Sequence, residues 1–122
     1  MTLATGMLPT MLTETLRDSL PPVPDNPTEA DLRPWRDRID DIDRIILQLM
    51  NERSRCANVI GHIKKKLALA VYAPRREEEV IQNVLSANEG PLPDAAVRRL
   101  FERVIDETRS LERQKYQDEP EE

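Results

Sequence analysis

The chain is poor in the residues that build sheets, staples and metal centres. Its 122 residues include 3 glycines, 1 cysteine, 1 histidine and only 3% aromatics. With so few aromatics, and no segment that alternates apolar and polar residues long enough for a convincing strand, the profile favours helices over sheets. The single Cys56 cannot close an intramolecular disulfide. It lies on an apolar helix face and reads as small core filler in a reducing cytoplasm. His62 stands alone, so there is no Cys/His metal cluster and no Ser–His nucleophile pair, and no glycine-rich phosphate loop is present either. No apolar run approaches membrane-spanning length, and the N-terminus lacks the basic start and apolar stretch of a secretion signal.

What the chain has is charge: 34% of residues are Asp, Glu, Lys or Arg, a profile that favours helices. The formal net charge of −5 is unevenly spread. In residues 1–31, Arg17 stands against Glu14, Asp18, Asp25, Glu29 and Asp31, a net −4. Asp118, Glu119, Glu121 and Glu122 contribute another −4, which leaves 32–117 at +3. A cationic middle suits a small anionic ligand but is too weak a bias to indicate nucleic acid.

Residues 1–31 hold five of the ten prolines and read as a largely unstructured acidic extension. Within it, Leu12, Leu16 and Leu20 allow a short amphipathic turn or two as a docking segment, with a solvated tail the stronger reading. A helical domain follows over 32–117, and 118–122 form an acidic tail. The pattern predicts three helices. The first runs from Pro34, tolerated in a first turn, to about Ala68. The second starts at Pro74 and presents Val80, Ile81, Val84 and Leu85. The third is capped by Asp94, with a seam at Val97, Phe101, Val104, Thr108 and Leu111. About 34 residues of helix at 1.5 Å each span roughly 50 Å, more than two shorter helices can cover. The simplest remedy is a second copy alongside, an intertwined helical homodimer; a plain coiled-coil pair is the alternative.

The seam of that first helix is Ile39, Ile42, Ile46, Leu49, Arg53, Cys56, Ile60, Ile63 and Leu67, in alternating steps of three and four. Arg53 interrupts it. A guanidinium facing a core is costly unless an anion meets it, so either a protein carboxylate neutralises Arg53 or the seam opens onto a pocket for an anionic ligand. Lys64 follows three turns later, with a residual rotation of about 20°. Thr108 and Glu112 share one face of the third helix, and Arg76 and Glu77 begin the second.

Taken with their order and spacing, the stretches RDRIDDIDRIILQLMNERSRCANVIGHIKKK (36–66), VYAPRREEEV (71–80) and LFERVIDETRSLERQ (100–114) resemble the all-helical class of chorismate mutases. The resemblance implies an all-α, three-helix chain in an intertwined homodimer. It implies conversion of chorismate, a dianion, to prephenate in the shikimate pathway of aromatic amino-acid biosynthesis, with no cofactor. It also assigns roles. Arg36 crosses from the partner chain to one substrate carboxylate, and Arg53 clamps the other. Lys64 hydrogen-bonds the ether oxygen. Arg76 and Glu77 form the pair at the second helix, the glutamate taking the ring hydroxyl. Thr108 lies near a carboxylate, and Glu112 occupies the place of a glutamine facing the ether oxygen.

Two departures from the family pattern matter. Ala73 replaces an aspartate that helps orient the ring hydroxyl, which leaves that work to Glu77. Glu112 replaces an amide that donates at every pH with a carboxyl that donates only when protonated. Activity rising toward acidic pH is therefore expected, with a flatter profile for Glu112→Gln.

Each of these residues also has a plainer reading. Arg53 can pair with Glu52 or with an acid on another helix, Lys64–Lys66 can be a solvated stretch at a helix C-terminus, and 75–79 can be a charged surface turn. Thr108 can bond back to its own helix. Two other functions share the features: isochorismate–pyruvate lyase on the same fold, or a non-catalytic helical dimer docking a shikimate-pathway enzyme.

Overall fold

A computed structural model describes residues 7–118, with side chains over 10–117. The acidic tail beyond Asp118 lies outside the described residues, as does the start of the extension. The described elements are helices α1 (Met7–Asp18), α2 (Leu32–Lys66), α3 (Pro74–Ala87) and α4 (Asp94–Asp118), with a 3-10 turn at Glu29–Asp31 before α2. The fold is all-helical as predicted, but the count of three is corrected to four. The extra helix, α1, forms despite the prolines around it. Pro9 falls in its first turn, where no intrahelical N–H is needed, and Leu12 and Leu16 share a half-buried face.

Contacts divide the chain into two units, Met1–Ile46 and Leu47–Glu122, with α2 contributing to both. In the first unit, Arg38 of α2 caps the end of α1. Its Nη1 donates to the Leu16 carbonyl at 2.8 Å, and its Nη2 donates to the Ser19 hydroxyl at 3.0 Å and to the Ser19 carbonyl. A cation at a helix C-terminus satisfies orphan carbonyls and complements the dipole. The Thr28 N–H donates to the Asp31 carboxylate at 2.7 Å, closing the turn that leads into α2.

The second unit packs the rest of α2 with α3 and α4. Its apolar core is Ala57, Ile81, Val97 and Ile105, each buried. Burying such aliphatic side chains is worth about 1.5–3 kcal/mol for each larger one. α2 ends two residues earlier than predicted, at Lys66. The N–H of Leu69 reaches the Lys64 carbonyl at 2.8 Å and that of Ala68 the Lys65 carbonyl at 3.1 Å, with Ala68 at φ 53. This pair of bonds around a left-handed residue is a Schellman stop, with alanine where glycine is usual. Pro74 opens α3 at its first position as predicted, and the Asn88 side chain bridges the Leu92 carbonyl and the Asp94 carboxylate, both at 2.8 Å.

The predicted seam of α2 is not what the single chain buries. Leu49, Ile60, Ile63 and Leu67 in the second unit are exposed, and so are Ile39 and Ile46 in the first. Cys56 is exposed as well, not core filler. The packed face is rotated by about one residue, onto Arg53, Ala57, Gly61 and Lys64. Gly61 shows why. A Cβ there would stand 3.0 Å from the Glu112 carbonyl oxygen and 3.2 Å from its Cα. Glycine lets the α2 and α4 backbones approach this closely, where a methyl group would force a backbone to shift by a few tenths of an ångström.

Candidate active site

The second unit holds a cavity of about 350 Å³. α2 lends Arg53 and Lys64, the loop before α3 lends Val71 and Ala73, α3 lends Arg76 and Glu77, and α4 lends Thr108, Arg109 and Glu112. Six of the seven residues singled out in the sequence therefore come together. The seventh, Arg36, lies exposed in the first unit and is not among the lining residues.

Arg53 is half-buried and donates to the Thr108 hydroxyl, which itself donates back to the Val104 carbonyl at 2.9 Å. Glu52, the carboxylate that would have neutralised Arg53 locally, is instead paired with Arg55. Burial lowers the Arg53 pKa from its ordinary value, the nearby Arg76 cation adds to that, and Glu112 opposes it. The net balance is a cation short of negative company.

Lys64 is held by two acceptors. Its Nζ donates to the Val71 carbonyl and to Glu112 Oε2, each at 2.8 Å. It is thus not part of a solvated lysine stretch, although Lys66 is exposed. Glu112 is buried at 7% relative exposure, the one charged residue among the buried described residues. Val97, Ile105 and Glu112 form the buried line of α4, whereas Phe101, Val104, Thr108 and Leu111, the rest of the seam read from the sequence, flank it half-buried. Arg76 is more exposed, pairs with Glu79 on the same helix, and still reaches the cavity wall.

Arg109 is a cavity-lining residue that the sequence did not disclose. Its Nε donates to Glu77 Oε2 at 2.9 Å and its Nη2 to Glu77 Oε1, a two-pronged clasp. The hydrogen bond to Glu77 raises the Arg109 pKa above its ordinary value. The only local signal is a position next to Thr108 and three before Glu112 on α4. Its partner is 32 residues away, beyond the reach of any spacing rule.

Four cations (Arg53, Lys64, Arg76, Arg109) and two carboxylates (Glu77, Glu112) thus line one cavity, a formal excess of two positive charges. Apolar side chains of Ala57, Ile60, Val80 and Ile105 fill the remaining wall. Such a site fits a small, largely apolar molecule bearing two negative charges. Among the described residues no group of three His, Cys, Asp or Glu could hold a metal ion, and no helix is long and apolar enough to cross a membrane.

Comparison with known proteins agrees with this architecture. The family model for chorismate mutase type II matches residues 35–113, and the chain belongs to that family. It is 46% identical over 82 residues to a bifunctional chorismate mutase/prephenate dehydratase of Neisseria gonorrhoeae, covering 67% of this chain and 22% of that protein. The chain therefore spans about a fifth of that relative's length. A chorismate mutase of Methanocaldococcus jannaschii is 28% identical over 80 residues, covering 65% of this chain and 81% of its own. Among solved structures, a chorismate mutase from Thermus thermophilus superposes with a TM-score of 0.66 at 35% identity, covering 67% of this chain and 93% of that one.

Proposed function

We propose that this chain catalyses the pericyclic rearrangement of chorismate to prephenate, without a cofactor, as a cytoplasmic homodimer. The observation that carries the reading is Arg53: a partly buried guanidinium held by a hydroxyl rather than a carboxylate, in a cavity with two surplus positive charges.

A concerted rearrangement needs no nucleophile and no proton shuttle. The protein's task is to hold a flexible dianion in its compact reactive conformer, and guanidinium forks do this well. Arg53, steadied by Thr108, takes one carboxylate. In a dimer, Arg36 of a second copy would take the other, with Arg76 supporting the charge. Supporting the second copy, Leu49, Ile60, Ile63 and Leu67 form an exposed apolar row on α2 of the kind that marks an interface. As the breaking C–O bond leaves charge on the ether oxygen, Lys64 donates to it from a fixed position, joined by Glu112 when that carboxyl is protonated. Glu77 accepts the ring hydroxyl. The catalytic domain in this reading is 32–117, with 1–31 an acidic extension to it.

The test is spectrophotometric: chorismate loss on the purified chain, with product analysis on chorismate and on isochorismate. Prephenate from chorismate is the expected result. Release of pyruvate from isochorismate in its place would make the chain a lyase, and loss of neither substrate would make it a non-catalytic module.

A further inference from the structure

The clasp between Arg109 and Glu77 has no part in the roles assigned so far. It joins α4 to α3 by two parallel N–H···O bonds on the two carboxylate oxygens. Such forks fix orientation as well as charge. Arg109 is itself held from two further sides: the Tyr72 ring lies 5.2 Å from its guanidinium carbon, and Asp106 Oδ1 lies 3.6 Å from its Nη1. Both partners are only about a quarter exposed, at 25% and 24%.

The turn before Glu77 makes this clasp consequential. Ala73, four residues earlier, also lines the cavity and brings no polar side chain, so Glu77 is the only carboxylate that α3 and its preceding loop present to that wall. A lone glutamate has three rotatable bonds and a negative charge, both unfavourable for receiving a dianion. The fork removes both problems at once. It selects one rotamer and offsets the charge, and each carboxylate oxygen keeps a lone pair for another donor. Glu77 and Arg109, with Ile105, also line a second cleft together with Tyr72, Glu102 and Asp106, so the pair borders both cavities.

We propose that Arg109 is a positioning residue, acting through Glu77 to aim that carboxylate at the ring hydroxyl of the substrate. This rests on the chorismate reading of the cavity. The geometry asks for a guanidinium specifically, because an ammonium cannot span both oxygens.

The test uses the full chain and steady-state kinetics on chorismate, for Arg109→Ala, Arg109→Lys, Glu77→Gln and the Glu77→Gln/Arg109→Ala double variant. Arg103→Ala, which removes an exposed cation from the same helix, is the control. Arg109→Ala should raise KM about 10-fold with a smaller fall in kcat, because the contact it supports is made in ground and transition state alike. Arg109→Lys should fall between Arg109→Ala and wild type, and Arg103→Ala should match wild type. In the Glu77→Gln background, loss of Arg109 should cost no more than about twofold, since the residues act as one unit. A chorismate analogue with hydrogen in place of the ring hydroxyl should be bound equally by wild type and Arg109→Ala. A merely structural role would weaken binding of that analogue as much as of chorismate, and that result overturns the proposal. So do fully additive losses in the double variant, or unchanged constants for Arg109→Ala. If Arg109→Ala does not fold, Arg109→Lys carries the same comparisons. Wild-type turnover distinguishes the two levels: an active wild type with an indifferent Arg109 sinks only this inference, whereas an inactive wild type sinks the mutase reading with it.

Discussion

Lys64 and Glu112, 48 residues apart in the chain, meet at 2.8 Å against the cavity wall, with 17% and 9% of their side chains exposed. The pair gives Lys64 a fixed direction before any ligand arrives. In the proposed reading it also sets a carboxyl beside the ether oxygen of the substrate.

The first expectation concerns pH. In the pair with Lys64, Glu112 accepts a hydrogen bond. A carboxyl donates toward an ether oxygen only when it carries a proton. Activity should therefore rise toward acidic pH, and Glu112→Gln, an amide that donates at every pH, should flatten the kcat/KM profile. A wild-type profile that is already flat, and stays so in the variant, contradicts this.

Lys64 supplies the other donor. Removing one preorganised donor to a developing charge costs about 3 kcal/mol, so Lys64→Ala should lower kcat by roughly 100-fold or more, well beyond its effect on substrate binding. Equal losses in both would place Lys64 in binding alone. Lys64→Ala also leaves Glu112 buried without its cation, so the melting temperature should fall too. Lys64→Met with Glu112→Leu should recover stability without recovering turnover.

Gly61 sets the spacing between these partners. Glycine-to-alanine changes inside helices usually stabilise by about 1 kcal/mol. Here the added methyl meets the Glu112 carbonyl oxygen at 3.0 Å, and neither helix backbone yields easily. Gly61→Ala should lower both the melting temperature and the activity, as measured by thermal unfolding beside the kinetic assay. A rise in melting temperature would show that the helices are not held so close.

Ala68 stands at φ 53, in the left-handed region that glycine occupies without penalty. Ala68→Gly should raise stability by about 1 kcal/mol, the Cβ penalty partly offset by glycine's larger entropy in the unfolded chain. Turnover should not change, because Ala68 does not line the cavity. Chemical denaturation measures the difference, and a destabilised variant would contradict the account of how α2 stops.

A shared site predicts complementation. If Arg36 serves the partner's cavity, Arg36→Ala and Arg53→Ala chains are each inactive alone, yet a mixed dimer rebuilds one intact site. Equal mixing after dissociation should restore about a quarter of wild-type activity, from the statistics of two-fold pairing. No recovery would place Arg36 outside the site.

Several of these residues were legible before any coordinates. Arg53 showed itself as a charge inside an apolar period, and Thr108 and Glu112 as polar interruptions of a third-helix face. Periodicity finds an apolar stripe without saying what covers it, and the face that the single chain packs lies about one residue of rotation from that stripe. Within one chain, the stripe of α2 stays exposed while the small residues Ala57 and Gly61 are buried. Gly61 did carry a signal: a glycine mid-helix costs stability and needs a reason, here close backbone approach. Arg109 carried only its position beside Thr108, since one arginine in a charged helix looks like any other until Glu77 is placed beside it. α1 was hidden by proline content, which marks breaks without showing that Pro9 falls in a first turn.

The most direct test is the rate of chorismate consumption by the wild-type chain and by Arg53→Ala under identical conditions. The account predicts prephenate formation far above the uncatalysed rate for the wild type, and a loss of roughly 100-fold or more in kcat/KM when the guanidinium is removed. A wild type no faster than solution, or an Arg53→Ala chain that keeps full activity, contradicts it.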